Sequence, residues 1–204
     1  MEIFKYVVTA VCGYLLGSIS FSIAISSLVL GGDVREKGSG NAGATNMARV
    51  FGMRAGLFTF LGDAAKSGIA MLIGWLLLGD GGLAVGALAC LLGHCFPIYY
   101  NLKGGKGVSA GAAVALAIDW RVFLIAVAAF AIAAVLSKKV SLGSICAAVS
   151  VAVSTPLLQL GDERIFIAIA AALLIVIQHR SNIKRLINNT EPDFHPAKAK
   201  KKID

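Results

Sequence analysis

Four short polar segments carry the residue types that hold phosphate. The first, KGSGNAGATNMAR from Lys37 to Arg49, combines small residues with hydrogen-bond donors. Gly40 and Gly43 let backbone N–H groups approach an anion, Ser39, Asn41, Thr45 and Asn46 can donate hydrogen bonds, and Arg49 offers a two-pronged guanidinium. In the second, LKGGKGV from Leu102 to Val108, Gly104, Gly105 and Gly107 flank Lys106 just before an apolar run. Free N–H groups and the dipole of a helix starting there would add to the ammonium. The third, SKKVSLGS from Ser137 to Ser144, offers Ser141 and Ser144, as ligand contacts or simply as helix caps. The fourth, HRSNIKR from His179 to Arg185, puts His179 and Asn182 at i and i+3, one face of a continuing helix.

Two familiar phosphate motifs are imitated and rejected. Gly38-x-Gly40-x-x-Gly43, with Asp63 twenty residues on, mimics a dinucleotide fingerprint, but that pattern has meaning only between a strand and a helix, and here both flanks are apolar helices. The Lys106 loop lacks the spaced glycine and the Gly-Lys-Ser/Thr ending of a nucleotide-binding P-loop. Cys12, Cys90, Cys95 and Cys146 lie in apolar stretches without metal-ligand spacing, so they read as helix-packing residues and no metal or cofactor is expected. Asp63 and Lys66, also i and i+3, stand inside an apolar run. Charges there point to function, with Lys66 a candidate substrate contact, or to a mutual ion pair. His94, alone in its apolar segment, reads as a packing or hydrogen-bonding residue rather than a catalyst.

The elements that must position these groups are membrane helices. Of 204 residues 57% are hydrophobic and 15% charged, with mean hydropathy +0.80, whereas a soluble domain carries about 25% charge. Seven apolar runs suggest an all-α integral membrane protein, a single domain over 1–204: Phe4 to Leu30, Ala55 to Leu78, Leu83 to Tyr100, Val108 to Ile118, Val122 to Leu136, Leu142 to Leu160 and Ile165 to Gln178. The first begins almost at the N-terminus with an acid and no cleavage site, and reads as a retained anchor. Fifteen of the nineteen basic residues fall in segments 31–54, 101–107, 137–141 and the tail from His179. By the positive-inside rule those segments are cytoplasmic, the N-terminus is outside and the C-terminus inside. The net charge of +8 is then an orientation signal, and no nucleic-acid partner is implied. Residues 194–204 read as a basic free tail.

The outer turns, Gly79 to Gly82, Asp119 to Arg121 and Gly161 to Arg164, are too small to hold a substrate. All elaborated polar sequence lies on one side, as suits an enzyme acting at one leaflet. The fourth and seventh runs are shorter than the roughly 20 residues a span needs. Their polar ends, Lys106 and His179, can therefore lie below the headgroup plane, where irregular backbone survives only in a protein-lined cavity. The four segments are expected to converge on one basic pocket open to both cytosol and lipid.

Taken together, Gly17-Ser18, GSGNAGATN at 38–46, GHCFP at 93–97, KGGKGV at 103–108, the serines after Val140, HRSNIKRL at 179–186 and TEPDF at 190–194 resemble the PlsY family. These are bacterial membrane glycerol-3-phosphate acyltransferases that use acyl phosphate. The resemblance covers nearly the whole chain. It implies transfer of a fatty acyl group to the 1-hydroxyl of glycerol 3-phosphate, giving lysophosphatidic acid and phosphate, the first step of phospholipid synthesis, at the cytoplasmic face of the bacterial inner membrane. It also implies a site made of Ser39, Asn41, Arg49, Lys106, Ser141 or Ser144, and His179 with Asn182. The chain departs from the family in Ser20 for proline, Ser67 for glycine and Ser181 for glutamate.

The resemblance fits the chemistry. An acyl phosphate is already activated, so its enzyme needs to hold two anions together and stabilise developing charge rather than supply a covalent nucleophile. No H-x-x-x-x-D motif of the thioester-using acyltransferases exists: five residues after His94, His179 and His195 come Tyr99, Lys184 and Lys200. Either His179 or a substrate phosphate can be the general base. The partners implied are acyl phosphate, glycerol 3-phosphate and membrane lipid, with no protein partner indicated. The competing reading, a transporter of small phosphorylated anions, would want binding groups near the midplane and inverted repeats, and neither is visible.

Overall fold

The computed structural model of the chain describes residues 1–197, and all regular structure among them is helical. The first apolar run is not one helix: α1 (Glu2–Ser18) and α2 (Phe21–Leu28) are separated by an extended break at Ile19 and Ser20. Ser20 caps α2, its Oγ accepting from the Ile23 N–H at 3.5 Å. The carbonyls freed by the break are satisfied by Lys66, whose Nζ donates to the Gly17 oxygen at 2.8 Å and to that of Ile19. A broken helix at membrane depth needs such internal partners, because lipid supplies none.

The first polar segment contains a helix of its own, α3 (Ala44–Phe51), which buries Met47 and Ala48 and ends at Gly52 with φ 91°. α4 (Met53–Cys95) has 43 residues, and Gly79, at φ 62° and ψ −144°, reverses the chain within it. The two limbs return along each other: Gly74 meets Gly82, and Gly86 meets the Ala70 backbone, with no room for a Cβ at any of the three. α1 packs on the second limb in the same way, Gly17 against the Cys90 carbonyl and Gly93 against that of Tyr14. Small residues that let backbones touch are the usual adhesive of membrane helices.

After a short 3₁₀ turn at Ile98–Tyr100 come α5 (Val108–Ile118), α6 (Trp120–Ser137), α7 (Val140–Leu157) and α8 (Asp162–Gln178). α9 (Arg180–Ile187) follows at a 60° bend. A core of Met71, Leu91, Val114, Ile118, Val122 and Ile167 joins α4, α5, α6 and α8. Outward faces carry Phe58, Leu61, Leu76, Val135 and Leu136, all more than half exposed, a surface suited to lipid and not to water.

Among the described residues, four helical units have the length and apolarity to cross a membrane: Glu2–Leu28, Met53–Tyr100, Trp120–Ser137 and Val140–Leu157. The bent α8–α9 pair makes a fifth, and α5, with 11 residues, falls short. The seven expected runs correspond to α1–α2, the two limbs of α4, and α5 to α8. Two backbone hydrogen bonds tie residues 194–197 of the expected basic tail to the helices. The Phe194 N–H donates to the Lys138 carbonyl at 3.0 Å, and the Ala197 N–H to that of Ala48 at 3.1 Å. Residues 198–204 of that tail lie outside the described residues.

Candidate active site

Helix starts build the site. The first turns of α3, α5, α7 and α9 all reach one cavity of about 360 Å³, through Ala44 and Thr45, Val108 and Ser109, Val140 and Ser141, and Asn182. Each start presents N–H groups without helical partners and the positive end of a dipole, so the four together favour an anion.

Ser39, Asn41, Gly43, Thr45, Asn46, Arg49, Lys106, Ser141, Ser144, His179 and Asn182 line this cavity. Asn46 is almost completely buried and holds the loop in shape: its Oδ1 accepts from the Ser39 N–H at 2.9 Å, and its Nδ2 donates to the carbonyls of Val34 and Lys37, both at 3.0 Å. Lys106 Nζ donates to Asn182 Oδ1 at 2.5 Å. Burial lowers its pKa to about 8, the cations of Arg185 and Arg49 adding to the fall and Glu191 opposing it. Arg49 has no carboxylate partner among the described residues, so its charge faces the cavity uncompensated. His179 Nδ1 lies 2.7 Å from the Ile175 carbonyl. A carbonyl only accepts, so Nδ1 carries the hydrogen and Nε2 of the neutral ring is the acceptor. Ser144 donates to the Val140 carbonyl at 2.9 Å, whereas Ser141 donates to Glu191 at 2.6 Å.

Some expected residues stand elsewhere. Gly40, Gly104, Gly105 and Gly107 lie outside the cavity lining, shaping loops from behind. Lys66 is not brought to the cavity, because its ammonium is spent on the Gly17 and Ile19 carbonyls and stands 2.9 Å from Asp63 Oδ1. The ion-pair reading of Asp63 and Lys66 is the one realised.

Glu191 is the principal residue that spacing alone did not single out. Its carboxylate accepts from Ser141 Oγ at 2.6 Å, Asn182 Nδ2 at 2.7 Å and Arg185 Nε at 2.6 Å. Burial pushes its pKa up, but the hydrogen bonds from Ser141, Asn182 and Arg185 outweigh that and hold it below the usual carboxylate range. The available signals were the TEPDF run at 190–194, among the residues that carry the family resemblance, and the place of an acid six residues after Arg185. His94, whose sequence setting suggests a packing or hydrogen-bonding role, also lines the cavity.

Away from the polar end the wall is apolar, formed by Phe60, Ala115, Phe123, Ala126, Phe130 and Val151. The arrangement can thus hold anionic groups at the helix starts and an apolar chain beside them.

A family model described as glycerol-3-phosphate acyltransferase matches residues 7–189. A glycerol-3-phosphate acyltransferase of Clostridioides difficile is 39% identical, covering 94% of this chain and 96% of its own. One from Jannaschia is 40% identical over 90% of each. Among solved structures, PlsY, described as an integral membrane glycerol 3-phosphate acyltransferase, matches in its glycerol 3-phosphate form with TM-score 0.88 and 35% identity, covering 93% of this chain and 96% of that one. Its lysophosphatidic acid form matches with TM-score 0.85 and 34% identity, covering 93% and 95%. The site and these likenesses agree: the chain is a multi-pass membrane acyltransferase of phospholipid biosynthesis and belongs to the glycerol-3-phosphate acyltransferase family.

Proposed function

We propose that this protein transfers a fatty acyl group from acyl phosphate to the 1-hydroxyl of glycerol 3-phosphate, releasing lysophosphatidic acid and inorganic phosphate. One observation carries the reading: a single cavity joins a cationic end, with Arg49, Lys106 and four helix starts, to an apolar wall from Phe60 to Val151. Two phosphates repel each other, and this end can shield them; the acyl chain takes the apolar wall.

In the reaction the 1-hydroxyl oxygen attacks the acyl carbon and the bond from that carbon to the bridging oxygen breaks, the oxygen leaving with phosphorus. The departing phosphate carries the bonding electrons. The hydroxyl proton passes to a phosphate oxygen, while His179 Nε2 accepts a hydrogen bond from the 2-hydroxyl of glycerol 3-phosphate and so orients the substrate. Ser39, Asn41, Thr45 and Asn182 hold phosphate, with one of Ser141 and Ser144 assisting. No cofactor takes part in this scheme.

The same proposal includes seven spans with the N-terminus outside, a single domain over 1–204, and a site at the cytoplasmic face of the bacterial inner membrane. The basic residues around the cavity favour that orientation. The transporter reading is not favoured, since the polar lining gathers at one end of the bundle. The test is phosphate release from acyl phosphate in step with lysophosphatidic acid formation by the purified protein. Lysophosphatidic acid without matching phosphate would reject it.

A further inference from the structure

Beside the proposed machinery, with His94 at the edge of the cavity itself, α4 holds a buried cluster of three ionisable groups. Asp63 is completely buried, Lys66 nearly so, and His94 comes from the returning limb. Lys66 directs its hydrogens to the Gly17 and Ile19 carbonyls, and Asp63 accepts no well-aligned hydrogen bond. The carboxylate nevertheless has His94 Nδ1 3.5 Å away, on the same Oδ1 that faces Lys66. A buried carboxylate without donors is expensive, so the imidazole hydrogen belongs on Nδ1, turned to Asp63. Nε2 is thereby turned to the other side, and what lies there is the glycine loop. A Cβ on Gly105 would meet His94 Nε2, one on Gly104 would meet the His94 carbonyl, and the Gly105 N–H donates to that carbonyl at 3.0 Å. The backbone next to Lys106 therefore rests on the main chain and the ring of His94.

We propose that His94, oriented by Asp63, is a positioning residue that sets the Gly104–Lys106 loop against the phosphate end of the cavity. Lys66 anchors the same carboxylate to the break between α1 and α2, so the loop's seat is fixed to the N-terminal helices. This rests on the functional reading above and adds to it a support for phosphate binding that acts through the Gly104–Lys106 loop.

The test uses the full-length protein in proteoliposomes, reading equilibrium binding of labelled glycerol 3-phosphate without donor as well as steady-state turnover with acyl phosphate. Coupled neighbours shift equilibria severalfold, so His94→Asn and Asp63→Asn should each weaken glycerol 3-phosphate binding about tenfold. KM should move further than kcat. The effects should not multiply: the double variant should bind no worse than His94→Asn alone, because both act through one ring. Asp63→Asn leaves Lys66 buried without its counter-charge, so Asp63→Asn with Lys66→Met removes both charges and should give the same loss if the single variant misfolds. Gly105→Ala should mimic the loss, and its effect should shrink in the His94→Asn background. Wild-type affinity in His94→Asn, or losses that multiply in the double variant, would overturn the proposal. A wild-type protein that binds glycerol 3-phosphate but ignores acyl phosphate would count against the donor reading alone, because the binding arm still scores the loop.

Discussion

Arg49 and Lys106 supply cationic charge to the same cavity with different tolerances. Each removal leaves two anions less shielded, so Arg49→Ala and Lys106→Ala should each lower kcat/KM on the order of 10²-fold or more. Arg49→Lys should remain impaired, since an ammonium does not reproduce a two-pronged contact. Lys106 also sets a pH limit. Its pKa of about 8 means that the cation is present below that value and is lost as pH rises through it. The kcat/KM profile of the free enzyme should therefore fall on an alkaline limb near pH 8. Lys106→Arg should move that limb upward because a guanidinium keeps its charge, and an unmoved limb would refute the assignment. For His179, the Ile175 carbonyl fixes Nε2 as an acceptor, a role that a glutamine oxygen can partly fill. His179→Gln should retain measurable turnover with a raised KM for glycerol 3-phosphate. Unchanged KM with no detectable kcat would instead make His179 the base. These polar residues were legible from the sequence because phosphate binding demands a recognisable mixture of glycine, amide, hydroxyl and cation.

The helices were legible as apolar runs, and the reversal at Gly79 as the Gly79–Gly82 turn between two of them, but most contacts were not. The interruption at Ile19 and Ser20 depends on Lys66, 47 residues from Ile19. α3 hides in a run that reads as a loop, because its buried Met47 and Ala48 are few among polar neighbours. The strap from Glu191 to Ala197 was least visible, since its hold is a set of backbone and side-chain bonds to remote partners: Lys139 Nζ to the Glu191 carbonyl at 2.7 Å and to Asp193 at 3.0 Å, and Ala197 to Ala48. Glu191→Ala takes the acceptor from Ser141, Asn182 and Arg185 together, so kcat/KM should fall about tenfold or more, with faster proteolysis after Ile187. Activity and cleavage like wild type would deny the strap its role. At the α1–α4 seam, Gly17→Val forces a side chain into the Cys90 carbonyl, an overpacking that should cost about 1–3 kcal/mol. It should appear as a lower Tm in detergent, and an unchanged Tm would mean that the seam can open.

Across the whole molecule, the cavity unites what the chain separates: residues from 39 to 192 line it, with their polar groups gathered at its cationic end and lipid-facing surface around the rest. The proposed orientation is open to labelling from outside in a background with the four native cysteines replaced by alanine. New thiols at Asp80 and Asp162 should react with an impermeant reagent, whereas those at Ser39, Lys106 and Lys184 should not, and outside labelling at Lys106 would invert the topology. The apolar wall beside one cationic end suits the proposed acyl phosphate donor, and the chain lacks the H-x-x-x-x-D motif of thioester-using acyltransferases. The most direct measurement of this account is purified protein in lipid vesicles, given labelled glycerol 3-phosphate with acyl phosphate in one arm and acyl-CoA in the other. The account predicts one phosphate released for each lysophosphatidic acid formed in the first arm and negligible product in the second; equal turnover with acyl-CoA, under conditions that exclude acyl phosphate, would contradict it.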